Sequence, residues 1–259
     1  MPPRAKLTAF SLRLHLFADR TRGLLHRLRD HFDTPPPTPL RREILLSLTT
    51  FQTGILDVAT FMAFRLFVAN MTGNVVILGA AIAHFYMNDI APNCVALGMF
   101  ILGGIITGII ERITNQCEKG HTRLFFAALS LFHCILYFVA AALVFTNVTP
   151  VSSTSRLSLI TFALLALGQG SQIVLTKRAG LAEFTTAVIT STIGDISSDP
   201  KLFHFWGKGV RGLDRRVASV MSLLVGAIAG GEIYKFQGYG VSLFVGGGIS
   251  FLIMIGWSL

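Results

Sequence analysis

Charge is what this chain has least of. Only 14% of its 259 residues are Asp, Glu, Lys or Arg, against about 25% in an average soluble domain, which excludes an ordinary water-facing surface. Cysteine is also scarce: Cys94, Cys117 and Cys134 form no CxxC pair and no Cys/His set at metal spacing. That excludes a disulfide framework and a zinc site and leaves three small apolar fillers. There is no Gly-x-Ser-x-Gly elbow, no His-Glu-x-x-His and no phosphate loop, so no enzyme, cofactor or metal is expected. The seven histidines are dispersed, and His84 and His133, in or near apolar runs, read as interfacial or packing residues. No short apolar core with a small-residue cleavage site opens the chain, so no secretory signal peptide is expected.

Apolar sequence is what abounds, with 52% hydrophobic residues and a mean hydropathy of +0.64. A spanning helix needs about 20 predominantly apolar residues. Six stretches qualify: Ile44 to Phe64, Pro92 to Ile110, Leu124 to Phe145, Leu157 to Thr176, Val217 to Tyr234 and Val241 to Leu259. Two further runs are too broken or too short to cross. Leu66 to Met87 is interrupted by "NMTGN", and Leu181 to Ser198 has only 11 residues between Glu183 and Asp195. At about 1.5 Å per residue the latter reaches half of a hydrocarbon core of about 30 Å.

The net charge of +9 flanks apolar runs and therefore acts as a topology signal rather than a nucleic-acid footprint. With six crossings and a cytosolic N-terminus, 19 Lys/Arg fall inside and only Arg65, Arg156 and Lys235 outside; eight crossings give 15 and 7. Six crossings are expected, with the two short runs as re-entrant or broken half-helices. Residues 1–40 form a basic head and a Pro-rich linker, "DTPPPTPL". Leu12, Leu16, Leu24, Leu25 and Leu28 suit one helical face lying on an anionic cytosolic leaflet. A mitochondrial presequence is the alternative, weakened by Asp19 and Asp30.

The membrane domain, 41–259, carries a weak internal repeat, about 41–146 and 156–259. "GILDVATFMAFR", "TGNVVILGA" and "GGIITGIIER" are followed in the same order by "GQGSQIVLTKR", "TSTIGDISS" and "GAIAGGEIYK", at offsets of 114 to 122 residues. Each half holds three crossings, so the second must be upside down relative to the first. The expected fold is thus all-α, six transmembrane helices plus two half-helices in two inverted three-helix repeats, the plan of many secondary transporters.

Some of these segments are also familiar. "GILDVATF", "ANMTGNVVILG", "GQGSQIVLTKRAG" and "TTAVITSTIGDI" resemble the YoaK-like family of multi-pass membrane proteins, a family of unknown function, over about Leu40 to Leu259. Val58 stands where that family usually has alanine, and Ser171-Gln172 where it has Gln-Asn. The resemblance implies the class of protein and supplies no substrate.

Asp57 is the foremost candidate site residue. A carboxylate deep in a membrane helix costs about 2.5–3.5 kcal/mol on insertion scales and usually faces a partner or water, so it suits proton or cation coupling. The alternative is an Asp bonded to nearby backbone. Asn70, Thr72 and Asn74 surround Gly73, and a half-helix starting there would aim free N–H groups at a polar or anionic solute, or be capped by those same side chains. Thr185, Thr186, Thr190 and Thr192 hold the equivalent place in the second half, or back-bond within their helix. Gln169 and Gln172 complete a polar lining or act as interhelical glue, at about 0.6 kcal/mol per bond. Gly104/Gly108 and Gly226/Gly230 permit close helix packing. Glu111, Arg112 and Glu232 are expected to snorkel to the interface, and Lys201 to Arg216 to lie on headgroups. "NVT" at Asn147 is a glycosylation acceptor pattern made poor by Pro150.

The function expected is a membrane transporter or permease of a small polar solute, with proton coupling open; the rival is a non-transporting scaffold whose polar residues are structural. The partners are the lipid bilayer and an unknown small polar solute, with no nucleic acid, and a homo-oligomer is compatible. Both termini are expected in the cytosol, and the plasma membrane is favoured over an organelle.

Overall fold

The computed structural model describes residues 34, 36–84, 87–116, 121–151, 157–181, 189–200 and 211–259. The basic head, Thr185, Thr186 and most of the Lys201 to Arg216 run lie outside them. Every regular element among the described residues is a helix: α1 (Pro39–Phe64), α2 (Met71–Ala83), α3 (Met87–Ile113), α4 (Arg123–Phe145), α5 (Ser158–Arg178), α6 (Ile189–Ser197), α7 (Arg211–Gln237) and α8 (Tyr239–Ser258). Six of them are long and apolar enough to cross a membrane, and α2, with 13 residues, is not.

Local signals set the helix ends. Pro39 begins α1, where its missing N–H is no loss, so the helix starts before the apolar run does. Arg65, at φ 58, ends it in the left-handed region. Gly238, at φ +84, makes the abrupt corner between α7 and α8, a conformation that a side chain would strain. Arg42 donates from Nη1 to the Ala179 carbonyl at 3.0 Å and so caps the end of α5.

The spans alternate in direction. One end of the bundle, the charged face, gathers the starts of α1, α4 and α7 with the ends of α3, α5 and α8. It is tied by Arg215–Glu43 at 2.6 Å, Arg216–Asp199 at 3.3 Å and Arg123 Nη1 to the Leu259 carbonyl at 2.7 Å. The other end, the Arg65 face, brings Phe64 edge-on to Phe162 and Tyr239 at centroid distances of 4.6 and 5.3 Å. Large apolar side chains such as Ile101, Ile105, Leu224 and Ile228 are exposed along α3 and α7, a surface that only a bilayer would solvate well.

The closest packing is α1 on α7, α3 on α5 and α4 on α8. A Cβ at Gly54 would strike the Leu223 carbonyl, and one at Gly226 the Phe51 carbonyl. Between α5 and α3 the pattern recurs, Gly170 against the Phe100 carbonyl and Gly103 against that of Leu167. Here backbone meets backbone, so only glycine fits.

Along the bundle axis the core is layered. Near the charged face an apolar cluster joins Leu45, Leu46, Phe126, Leu175 and Trp257. Toward the Arg65 face another joins Leu56, Ala59, Ala140, Leu165 and Leu243. Between them α1, α4, α5 and α8 contribute buried polar side chains, including Thr49, Gln52, Thr53, Ser130, His133, Gln169, Gln172 and Ser250. In water such a belt would be unremarkable; at mid-membrane every one of these groups needs a partner.

Candidate functional site

The site begins where the chain turns back after α1. Asp57 Oδ1 accepts the backbone N–H groups of Val68 and Ala69, each at 2.8 Å. Residues 68 and 69 therefore lie beside Asp57, seven positions before the end of α1, or about 10 Å back along the helix. From that depth α2 starts and runs out toward α3. "NMTGN" is thus the start of a half-helix, and the carboxylate on α1 holds its approach.

Each residue of the motif has a distinct task. Asn70 accepts the Gly73 N–H at 3.3 Å as N-cap. Asn74, fully buried, pairs twice with Phe67, accepting its N–H at 2.9 Å and donating to its carbonyl at 2.6 Å. Gly73 leaves room for the Phe67 ring, which a Cβ would meet at 2.9 Å and which stacks on Phe61 at 4.9 Å. Thr72 is exposed and stands apart. Of the N–H groups expected to await a solute, those of Val68, Ala69, Met71, Gly73 and Asn74 are taken up by Asp57, Asn70 and the chain itself.

One turn from Asp57, on the same helix face, Thr53 enters a ring of side-chain hydrogen bonds. Gln172 Nε2 donates to Thr53 Oγ1 at 2.8 Å, Gln169 Nε2 donates to the Tyr137 hydroxyl at 3.1 Å, and Tyr137 donates to Gln172 Oε1 at 3.4 Å. Thr53 lies 3.4 Å from Gln169 Oε1, which closes the ring. Gly168 makes the ring possible, since a Cβ there would meet the Tyr137 ring at 2.7 Å. Flanking bonds extend the belt: Gln52 Nε2 to the Gly246 carbonyl at 2.6 Å and to Ser250 Oγ at 2.5 Å, His133 Nε2 with Ser171 Oγ at 3.0 Å, and Thr107 to Ser171 at 2.7 Å. A cavity of about 10 Å³ lies beside Gln52, His133 and Gln172, near the least that holds one water molecule.

The structure thus brings Asp57, Asn70, Gly73, Asn74, Gln169 and Gln172 into one continuous polar region. It does not bring in Thr190 and Thr192. They lie on α6, which packs on α7, with Thr190 exposed and Thr192 buried; Thr186 is outside the described residues.

Reading residues singly missed Thr49, Gln52, Thr53 and Tyr137. The first three form with Asp57 a stripe at helical spacing on α1, which was the available signal.

One expectation is corrected. Glu111 does not snorkel: its side chain is 4% exposed and is covered by Arg178 Nε at 2.8 Å and His121 Nε2 at 2.6 Å, which are themselves partly exposed. The α3 end tucks against α5 instead of facing headgroups, and a carboxylate enclosed there must be paired.

A second and larger cavity, about 210 Å³, opens on the Arg65 face between the end of α1, α2, α3 and the start of α5. On the charged face a broad groove separates the first turns of α1 and α7.

Six apolar spans, a half-helix that cannot cross and a hydrogen-bonded polar belt at mid-depth define a multi-pass integral membrane protein. Its family follows from sequence: residues 45–256 match the family described as protein of unknown function (DUF1275), and the chain belongs to it. It is similar to UPF0700 transmembrane protein YoaK of Bacillus subtilis (strain 168), 30% identical over 193 residues that cover 72% of this chain and 81% of that protein. No solved structure matches it.

Proposed function

We propose that the protein is a transporter rather than an enzyme, built as two inverted three-helix halves. It moves a small polar solute past Asp57 and the Thr53–Gln169–Tyr137–Gln172 ring, with Asp57 carrying the coupling proton. The observation that best supports this reading is the recurrence of the glycine contacts. Gly54 against Leu223 and Gly226 against Phe51 have counterparts in Gly170 against Phe100 and Gly103 against Leu167. The displacement is 116 residues from α1 to α5 and 123 from α3 to α7 in both contacts. A two-fold relation between halves predicts that constancy. It also matches α2, packed on α3, with α6, packed on α7, and it moves the partner of Gly54 from Gly168 to Gly170.

Inverted halves with broken helices around a midplane site are the recurring plan of secondary transporters, an analogy of architecture. The centre suits passage in one further respect. α1 and α5 do not pack backbone to backbone but meet through side chains, Thr53 with Gln172 at 2.8 Å and with Gln169 at 3.4 Å, and α4 adds a second 3.4 Å contact to α5 through Tyr137 and Gln172. The two long bonds exchange readily for bonds to a solute. The cation partition of 19 to 3 supports a cytosolic charged face with both termini there, and the plasma membrane as the site.

Reconstitution into liposomes tests this, with flux of a solute panel measured for wild type and Asp57→Asn. The expected result is a solute that wild type moves and, driven by a pH gradient, accumulates against its own concentration gradient, while the variant loses the accumulation. The scaffold reading has its own supporting observation, a polar belt satisfied by its own members. No flux of any solute, with Asp57→Asn merely less stable, favours it.

A further inference from the structure

The 210 Å³ cavity on the Arg65 face has a mixed lining. Arg65, Asn88 and the buried Asn93 share it with Phe64, Phe162 and Ile77. Among the described lining residues there is no carboxylate. We propose that this cavity binds a small organic anion, a monocarboxylate with a short apolar body, with its carboxylate on the Arg65 guanidinium and its body against Phe64 and Phe162.

Charge, backbone and size carry the proposal. Arg65 makes no ion pair among the described residues; its recorded contact is with the Phe61 ring, 5.4 Å from the centroid. A guanidinium fork without an acidic partner among the described residues, at a cavity whose described lining holds no carboxylate, is suited to receive one. Its position runs against the charge bias of the chain, since the Arg65 face has few cations.

The backbone singles out the same residue. Three described non-glycine residues have positive φ, and the other two, Asn115 and Asn147, are asparagines, the type that tolerates this region. Arg65 is held there by its N–H on the Phe61 carbonyl at 2.8 Å. Strained conformations of this kind cluster at functional positions.

The volume fixes the scale of the ligand. At roughly 30 Å³ per water the cavity holds about seven, below the ~300 Å³ at which drug-sized sites begin. The edge-on pair of Phe64 and Phe162, at 88° and 4.6 Å, gives a fixed apolar wall for a short chain. The inference rests on the transport reading for what the anion does next, while the binding step stands on the cavity alone.

Thermal unfolding of the full chain in detergent, titrated with acetate, propionate and butyrate, tests the binding. The corresponding neutral amides and chloride serve as controls. Saturable stabilisation by the acids, increasing with chain length and absent with the amides and chloride, is expected. Arg65→Asn accommodates the left-handed turn and removes the charge, so it should weaken binding by about ten- to a hundredfold, as loss of a charged hydrogen-bonding partner does. Arg65→Lys should fall between. Equal stabilisation by acid and amide in wild type overturns the proposal without recourse to any variant, as does unchanged affinity in a folded Arg65→Asn.

Counterflow of labelled butyrate, measured above protein-free vesicles, separates the two readings. Binding without counterflow leaves the site standing and counts against transport of this anion. Flux of other solutes with no carboxylate binding leaves transport standing and removes the site.

Discussion

Replacing Asp57 with alanine removes the acceptor that the amides of Val68 and Ala69 share. These residues are 0% and 2% exposed, so neither N–H can turn to water. A buried donor left unmade costs about 1–3 kcal/mol, or ~2–6 kcal/mol for the pair on the same scale. Two effects reduce the figure. A carboxylate at depth itself costs about 2.5–3.5 kcal/mol on insertion scales, part of which the substitution relieves. Hydrogen bonds within membrane proteins average about 0.6 kcal/mol and reach about 1.7, because the unfolded chain in the membrane also finds partners. The balance leaves Asp57→Ala less stable by about 1–3 kcal/mol. Asp57→Asn keeps an oxygen at the same place but offers neutral bonds of about half the strength, so it should lie between. Reversible unfolding in mixed micelles measures the order wild type, Asp57→Asn, Asp57→Ala, and hydrogen exchange reads the amides of Val68 and Ala69 directly. An Asp57→Ala protein as stable as wild type, with both amides still protected, would show that the carboxylate does not hold the turn before α2.

Three other outcomes can be checked alongside. Gly170→Ala and Gly226→Ala each drive a methyl into a facing carbonyl and should destabilise by similar amounts, about 1–3 kcal/mol as overpacking does; a large effect at one and none at the other, by thermal unfolding, would break the equivalence of the two seams. Arg178→Gln should cost more than Glu111→Gln. It leaves a side chain that is 4% exposed with His121 as its remaining partner, whereas the reverse change leaves an arginine that is 46% exposed and can be hydrated, so about 2 kcal/mol against about 1 kcal/mol is expected, short of the ~3 kcal/mol of a lone buried charge. In a background lacking the native cysteines, Ser198→Cys should react with an impermeant thiol reagent only from the cytosol and Val148→Cys only from outside, both positions being exposed; Ser198→Cys reacting from outside would overturn the six-span orientation.

Much of this architecture is written in the chain, and the parts that are not share a cause. Apolar length marked the six spans to within a few residues, and α1 begins at Pro39 rather than Ile44 because its polar first turn carries no hydropathy signal. Asn70 and Gly73 marked the start of a half-helix because capping and close approach demand particular residue types. The partners of Asp57 were not legible, since they are backbone amides and any residue supplies one. Glu111 was misread because Arg178 is 67 positions away, and burial at a span end depends on which helix arrives there. The register of the proposed repeat was not legible, since glycine spacing alone cannot tell Gly168, which makes room for Tyr137, from Gly170, which meets the Phe100 carbonyl.

If the two halves are equivalent in fold, their differences describe the state of the molecule. The displacement of 116 residues that relates Gly54 to Gly170 relates Arg65 to Leu181. Arg65 is exposed at the rim of a 210 Å³ cavity. Leu181 is 6% exposed and packed in the apolar cluster with Leu45, Leu46 and Trp257. Between them lies the hydrogen-bonded belt, with a cavity of about 10 Å³ on its charged-face side. Arg65 and Leu181, equivalent under that displacement, thus differ in exposure, one at a cavity and one in an apolar cluster; if the protein transports, a state facing one side would show such a difference. The tightest bonds of the belt, from Gln52 to Gly246 and Ser250, join α1 to α8, while the 3.4 Å contacts join Thr53 to Gln169 and Tyr137 to Gln172. Opening toward the charged face would then separate α5 from α1 and α4, draw Leu181 out of its cluster and leave the α1–α8 clasp intact.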